Sequence, residues 1–247
     1  MIKLALVGSE GFIGKNFRSL FLAPDFDVSL YNRQTPIFSN GKVSDAFDPE
    51  TNFIFWLATS LNPIMSETHP ELIKIELKMF EQFITTLEAT QDLNKVTIVL
   101  FSSGGCIYSE EKEQFIENDL ALGFNKYGAF KAEQERILIS STKKYLIFRT
   151  SNVYGIGQKI NKGQGVIPQW IHDSQFSGEI TIFGNSSISR DFIHVNDLAD
   201  AIKSVIHAQI FNEIFNVGTG VGTSLGKIAQ IISTNIKRDL IVNQTPE

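Results

Sequence analysis

Tyr127 and Lys131 stand four residues apart in the run Tyr127-Gly128-Ala129-Phe130-Lys131. On a helix that spacing puts both side chains on one face, about one turn apart. A phenol with an ordinary pKa of about 10 accepts protons poorly at neutral pH, but a nearby ammonium favours the phenolate. The pair therefore reads as an acid/base unit able to move a proton at a hydroxyl or carbonyl oxygen. The plainer alternative is a surface helix with one aromatic and one solvated lysine, and the short pattern alone does not exclude it.

A second pattern strengthens the first. Ile2-Lys3-Leu4-Ala5-Leu6-Val7 is a short apolar run, followed at once by Gly8, Gly11 and Gly14 in a Gly-x-x-Gly-x-x-Gly turn and then by a helical pattern to about Leu22. Strand, glycine turn and helix in that order aim backbone N–H groups and the positive helix end at a pyrophosphate. The spacing differs by one residue from Gly-x-Gly-x-x-Gly, and the competing reading is a plain glycine-rich loop.

The elements needed to position these residues alternate along the chain. Strands are expected at Phe26–Tyr31, Asn52–Leu57, Val96–Phe101 and Tyr145–Arg149, with helices at about Pro70–Thr90 and Lys126–Ser140. Such alternation predicts an α/β fold, a Rossmann-type doubly wound parallel sheet covered on both faces. Thr35 to Thr51 is too short for a full helix plus strand, so an abbreviated crossover is expected there. After Asn152 the texture changes to glycine-rich loops, Gly155-Ile156-Gly157 and Asn161-Lys162-Gly163-Gln164-Gly165, which suggests a smaller C-terminal substrate-binding lobe. The division expected is a dinucleotide-binding unit over 1–152, with 189–217 returning to it, and a lobe from 153–188 and 218–247.

Composition bounds the class. The 247 residues carry a net charge of −5, which argues against a general nucleic-acid or anionic-membrane surface, so a polyanion must be held by local groups. Cys106 is the single cysteine, which excludes an internal disulfide and fits a reducing, cytoplasmic setting. No apolar stretch approaches 18 residues, and a signal-peptide pattern is absent from the opening segment. His69, His172 and His207 lack metal-ligand spacing, so no metal is expected.

Further motifs carry a resemblance. Arg190-Asp191-Phe192-Ile193-His194-Val195-Asn196-Asp197-Leu198-Ala199 is joined by Phe101-Ser102-Ser103 with Ile107-Tyr108, by Arg149-Thr150-Ser151-Asn152-Val153-Tyr154-Gly155, and by Phe215-Asn216-Val217-Gly218-Thr219-Gly220. In this order, with the glycine turn and the Tyr/Lys pair, they resemble the extended short-chain dehydrogenase/reductases that act on nucleotide sugars, in particular the UDP-galactose 4-epimerase-like group. The likeness runs over essentially the whole chain.

That resemblance implies roles. Tyr127 would be the acid/base at the sugar C4 oxygen, and Lys131 would bind the nicotinamide ribose and keep the tyrosine acidic. NAD or NADP would lie against Gly8, Gly11, Phe12, Ile13, Gly14, Asn32, Arg33, Leu57 and Ala58. Asn152 and Arg190 would hold the substrate diphosphate, with Phe183 near its base. A guanidinium is a forked, permanently charged phosphate clamp; the alternative for Arg190 is an ion pair with Asp191. His194 reads as a packed residue rather than a catalytic one, and Trp56 as core. A homodimer is expected, with the Pro70–Thr90 and Lys126–Ser140 helices in a four-helix bundle.

Three departures from the family pattern matter. The hydroxyl residue that helps the tyrosine hold the C4 oxygen falls on Gly104, leaving Ser103 or Cys106 as substitutes; Gly105-Cys106 replaces the Asp-Glu pair of dehydratases. The second strand ends Tyr31-Asn32-Arg33 without the acidic residue that selects NAD, so NADP is admissible. The chain stops at Glu247 where relatives continue, so the lobe is expected to be incomplete. The function expected is a nucleotide-sugar 4-epimerase; the alternatives are an NADPH-dependent 4-ketoreductase of a nucleotide-linked 4-keto-6-deoxy sugar and a non-catalytic dinucleotide-binding sensor.

Overall fold

The computed structural model describes residues 1–22, 24–90, 95–108, 112, 114–160, 165–236 and 240–245; most of the expected Asn161–Gly165 loop lies outside them. In chain order the elements are β1 (Ile2–Val7), α1 (Phe12–Leu20), β2 (Phe26–Tyr31), β3 (Phe38–Ser39), β4 (Lys42–Val43), β5 (Phe53–Trp56), α2 (Pro63–Thr68), α3 (Glu71–Ala89), β6 (Thr97–Ser103), α4 (Lys126–Ile139), β7 (Lys144–Thr150), β8 (Asn152–Tyr154), α5 (Val166–Phe176), β9 (Glu179–Phe183), β10 (Ser189–His194), α6 (Val195–His207), β11 (Glu213–Val217), β12 (Gly222–Ser224), α7 (Leu225–Asn235) and β13 (Ile241–Thr245).

Six strands form one sheet in the order β11-β7-β6-β5-β1-β2, parallel at every pairing. The order reverses at β1, so the crevice at its carboxyl end is the switch point where ligands bind in such sheets. The Thr35–Thr51 crossover is abbreviated as expected, to a two-residue-per-strand antiparallel hairpin, β3 with β4.

Period-two alternation divides the strands between two cores. Leu4, Leu6, Phe55, Val99, Phe101 and Phe148 face Phe17, Phe21, Leu198 and Ile202 from the α1/α6 side. Ala5, Ile54, Trp56, Ile98, Leu100 and Ile147 face Phe80, Phe83, Leu87 and Leu138 from the α3/α4 side. Trp56 is thus core, stacked on Phe83 with ring centroids 4.5 Å apart. With helices on both faces, the strands read as continuous apolar runs rather than clean alternations, which is why the sequence betrayed them so readily.

Two smaller sheets lie outside the main one. β8, β10 and β12 form a three-stranded sheet, and β9 pairs with β13. Trp170, Ile180, Ile182, Ile228 and Ile232 build a separate small core beneath the latter. Among the described residues no helix is long and apolar enough to cross a membrane.

Candidate active site

The glycine turn is pinned to the end of β2, because the N–H groups of Gly8 and Ser9 both donate to Tyr31 O, at 2.9 and 3.1 Å. Gly8 has φ +94°, and a Cβ there would lie 2.7 Å from Ala58 N; at Gly14 it would lie 2.5 Å from Gly8 O. Only bare backbone permits this closeness of turn, helix and following strand. Leu57 N donates to Val7 O, which brings Leu57 and Ala58 against the turn. Phe12 and Ile13 open α1 and pack on the core beneath. The α1 N-terminus, at Gly11, has no side-chain cap, so its N–H groups and dipole are left for an anion. This cradle fits a dinucleotide pyrophosphate.

At the end of β2, Asn32 spends its side-chain oxygen locally, accepting from the N–H groups of Gln34 and Thr35. Arg33 beside it is exposed.

The acid/base pair sits at the start of α4. Asn125 caps this helix by accepting from Gly128 N at 2.8 Å, which places Tyr127 in the first turn and Lys131 one turn on. Lys131 is 5% exposed, and its ammonium lies 5.8 Å from the centre of the Tyr127 ring. It donates to Phe101 O at 3.0 Å and to Gln134 Oε1 at 3.1 Å. Burial pulls its pKa down to about 8, against the opposing pull of Glu76 and Glu135. Burial likewise pushes the Tyr127 phenol well above its ordinary value, helped by Cys106 and Glu76. The expectation that Lys131 makes the phenol more acidic is therefore corrected for the protein without ligand. Desolvation outweighs a lysine whose ammonium is bonded elsewhere, to Phe101 O and Gln134.

Ser103 ends β6, partly buried, and its carbonyl accepts from Ile107 N at 3.2 Å. Gly104 N donates to Thr150 O at 2.8 Å, so the residue continues the β6/β7 edge. Cys106 is partly exposed and close enough to Tyr127 to bear on its charge. The carbonyl of Cys106 lies directly under α4: a Cβ on Gly128 would stand 1.9 Å from it.

Sequence reasoning missed the polar groups that hold α4 and the neighbouring loops. Glu135 on α4 pairs with Arg149 on β7 at 2.7 Å, both side chains about one-twentieth exposed. Arg149 also donates to the Tyr108 hydroxyl and to Glu117 O. The Tyr108 hydroxyl in turn donates to Asn216 on β11. Glu76 on α3 is buried too, and accepts from Thr59 and Ser60. The available signal was a charged residue inside the otherwise apolar strand Tyr145–Arg149, and an acidic one on the apolar stripe of a helix.

At the substrate end the Asn152 side-chain amide donates to Asp191 O at 2.9 Å, and β8 and β10 run side by side, with Phe192 opposite Asn152. Asn152 thus bonds the residue next in sequence to Arg190. The alternative ion pair between Arg190 and Asp191 does not form: Asp191 accepts from Thr219 and Gly220, and the exposed Arg190 donates to Ser189 O. Phe183 ends β9 in a different sheet, 70% exposed. His194 is the N-cap of α6, accepting from Asn196 N, with its ring edge-on to Tyr154, a packing role as expected.

Residues 4–218 match the NAD dependent epimerase/dehydratase family. The chain is 35% identical over 123 residues to a dTDP-4-dehydro-6-deoxyglucose reductase of Escherichia coli, covering 47% of this chain and 39% of that protein. It is 29% identical to a UDP-glucose 4-epimerase of Lacticaseibacillus casei, covering 80% of this chain and 70% of that one. In fold it is similar to the Thermus thermophilus UDP-glucose 4-epimerase complexed with NAD, with a TM-score of 0.82 at 21% identity over 99% of this chain and 86% of the other.

Proposed function

The chain belongs to the NAD dependent epimerase/dehydratase family, and we propose that within it this protein is a nucleotide-sugar 4-epimerase. The observation that carries the reading is the joint placement of Tyr127 and Lys131 at the start of α4, beside the carboxyl end of β6 and across the switch point from an uncapped glycine turn. Bound there, a nicotinamide supplies the hydride acceptor and donor. Lys131 binds the adjacent ribose hydroxyls. Tyr127 takes the proton of the sugar C4 hydroxyl as the carbon is oxidised, and returns it when the 4-keto sugar is reduced on its other face. Arg190 and Asn152 hold the diphosphate, and Ser103 or Cys106 stands in for the hydroxyl that Gly104 lacks.

A second reading is a 4-ketoreductase that uses NADPH. It is favoured by Asn32, which carries no charge to repel a 2′-phosphate, and by the exposed Arg33 beside it. A phenol held protonated also suits the donation of a proton to a ketone.

We take residues 1–152 with 189–217 as the dinucleotide-binding part and 153–188 with 218–247 as the substrate lobe; the return of β11 to the main sheet and the separate β9/β13 core support this division. The assembly proposed is a homodimer through α3 and α4, on which Ile75 is 60% exposed.

The deciding experiment is to denature the purified protein and identify the dinucleotide released. Tightly retained NAD in stoichiometric amount supports the epimerase, because that reaction regenerates its cofactor. Protein that emerges empty and binds NADPH reversibly supports the reductase, and protein that binds neither overturns both.

A further inference from the structure

Glu76 lies in the middle of α3 with 7% of its surface exposed, and among the described residues it has no salt-bridge partner. Its Oε2 accepts from Thr59 Oγ1 at 2.6 Å, and its Oε1 accepts from Ser60 N at 2.7 Å and from the Ser60 hydroxyl. Thr59 and Ser60 directly follow Leu57-Ala58, the backbone that closes over Gly8. A helix packed on the α3/α4 face of the sheet thus grips the segment that walls the glycine turn.

Neutral amides or hydroxyls would satisfy such donors at a lower desolvation cost than a buried carboxylate, so the charge calls for a reason. The Glu76 charge favours the ammonium of Lys131 and disfavours the phenolate of Tyr127. At Tyr127 Cys106 weighs more than Glu76, whereas at Lys131 Glu76 is the leading acidic neighbour and Glu135 the lesser one. Glu135, on α4 itself, is committed to Arg149 from β7. From β6 the Phe101 carbonyl only accepts a hydrogen bond. Cys106, from the loop after β6, bears on Tyr127 alone. The Lys126–Glu67 pair between α4 and α2 is half-exposed and mutually neutralised.

We propose that Glu76 is a positioning residue of this site. It fixes the Thr59–Ser60 wall of the cofactor cleft, and its negative charge helps to hold Lys131 as an ammonium ready to donate to a ribose. The inference rests on the dinucleotide-binding reading above and deepens it.

The test is calorimetric titration of NADH and NADPH into the full chain over about pH 6 to 10, a span that brackets the lysine. Wild type, Glu76→Gln, Glu76→Asp and Ser60→Ala are compared, with folding checked by circular dichroism. Wild-type affinity is expected to fall as the pH rises through about 8. Glu76→Gln removes the charge and should move that midpoint to lower pH by about one unit, the low end of what an opposite charge does at close range. Glu76→Asp and Ser60→Ala keep the charge while loosening the wall; both should weaken binding severalfold without an acid shift of the midpoint. A Glu76→Gln midpoint that stays in place or moves to higher pH overturns the proposal, as does an equal acid shift in Ser60→Ala. If Glu76→Gln does not fold, the Glu76→Asp result decides: an acid shift there overturns the charge role. Wild-type protein that binds neither dinucleotide overturns instead the reading on which the proposal rests.

Discussion

Asp191 accepts from both the backbone N–H and the hydroxyl of Thr219, at 3.0 and 2.8 Å, while its other oxygen takes the N–H of Gly220 at 2.9 Å. The carboxylate next in sequence to Arg190 is therefore occupied by a turn, and the guanidinium is left for an outside anion. Arg190→Ala should weaken binding of a nucleoside diphosphate by about 1.5–3 kcal/mol, roughly tenfold to a hundredfold, the usual worth of hydrogen bonds to a charged group. Calorimetry with UDP and dTDP checks this, and unchanged affinity for both would remove Arg190 from the site.

Tyr127→Phe should leave dinucleotide affinity near wild type while lowering turnover by about 10²–10⁴-fold, because only the proton-transferring oxygen is lost. Single-turnover kinetics on an accepted nucleotide sugar, alongside a binding isotherm, separates the two. Turnover close to wild type would reassign the acid/base role.

The Glu135–Arg149 pair is buried and joins α4 to β7. Arg149→Ala strands Glu135 as an uncompensated buried charge and should destabilise the fold by about 3–5 kcal/mol. Chemical denaturation reads this directly. A loss below about 1 kcal/mol, the scale of an exposed pair, would mean that water reaches the network.

Two glycines of the site differ in the room around them. At Gly128 a Cβ would stand 1.9 Å from Cys106 O, whereas at Gly104 it would meet Arg149 O at 3.1 Å and Thr150 O at 3.2 Å. Gly128→Ala must push α4 off the Cys106 loop and should cost about 1–3 kcal/mol or more, with cofactor affinity falling alongside. Gly104→Ser asks β7 to give by only a few tenths of an ångström, so the protein should fold, with little gain in turnover if Ser103 or Cys106 already supplies the donor. Kinetics of Gly104→Ser beside Ser103→Ala decides: a gain in the first with no loss in the second shows that no donor was there.

Stability should depend on pH through the same pair, with opposite signs. Lys131 falls from 10.5 to about 8 on folding, so between those values the unfolded chain holds a proton that the folded chain has lost, and stability from this group rises with pH. Tyr127 is raised above 10, so past that point the folded chain keeps a proton that the unfolded chain loses, and stability from this group falls. Denaturation midpoints of Lys131→Met against wild type, at about pH 8 and pH 10, should show the first rise only in wild type.

The fold class was legible because strands buried on both faces are written as nearly unbroken apolar runs, as in Leu4-Ala5-Leu6-Val7 and Ile98-Val99-Leu100-Phe101, each followed by turn residues or a helical pattern. The glycine turn and Tyr127/Lys131 were legible for a similar reason: turn and helix geometry over a few residues determines where those groups point. Sequence likewise foresaw the abbreviated crossover, since a length too short for a helix leaves little else.

Other features depended on contacts between distant segments. The grip of Glu76 on Thr59–Ser60, the reach of Arg149 to Glu135 and Tyr108, and the capture of Asp191 by Thr219 each join residues at least 14 positions apart. The protonation of Tyr127 was read with the wrong sign because local spacing speaks only of the neighbouring lysine. Desolvation depends on how distant segments pack around the phenol, and it outweighs one charged neighbour. The sequence by itself thus determined which groups are present and which short segments carry them. The tertiary structure decided which of them are bonded, which are left open to a ligand, and in which charge state they wait.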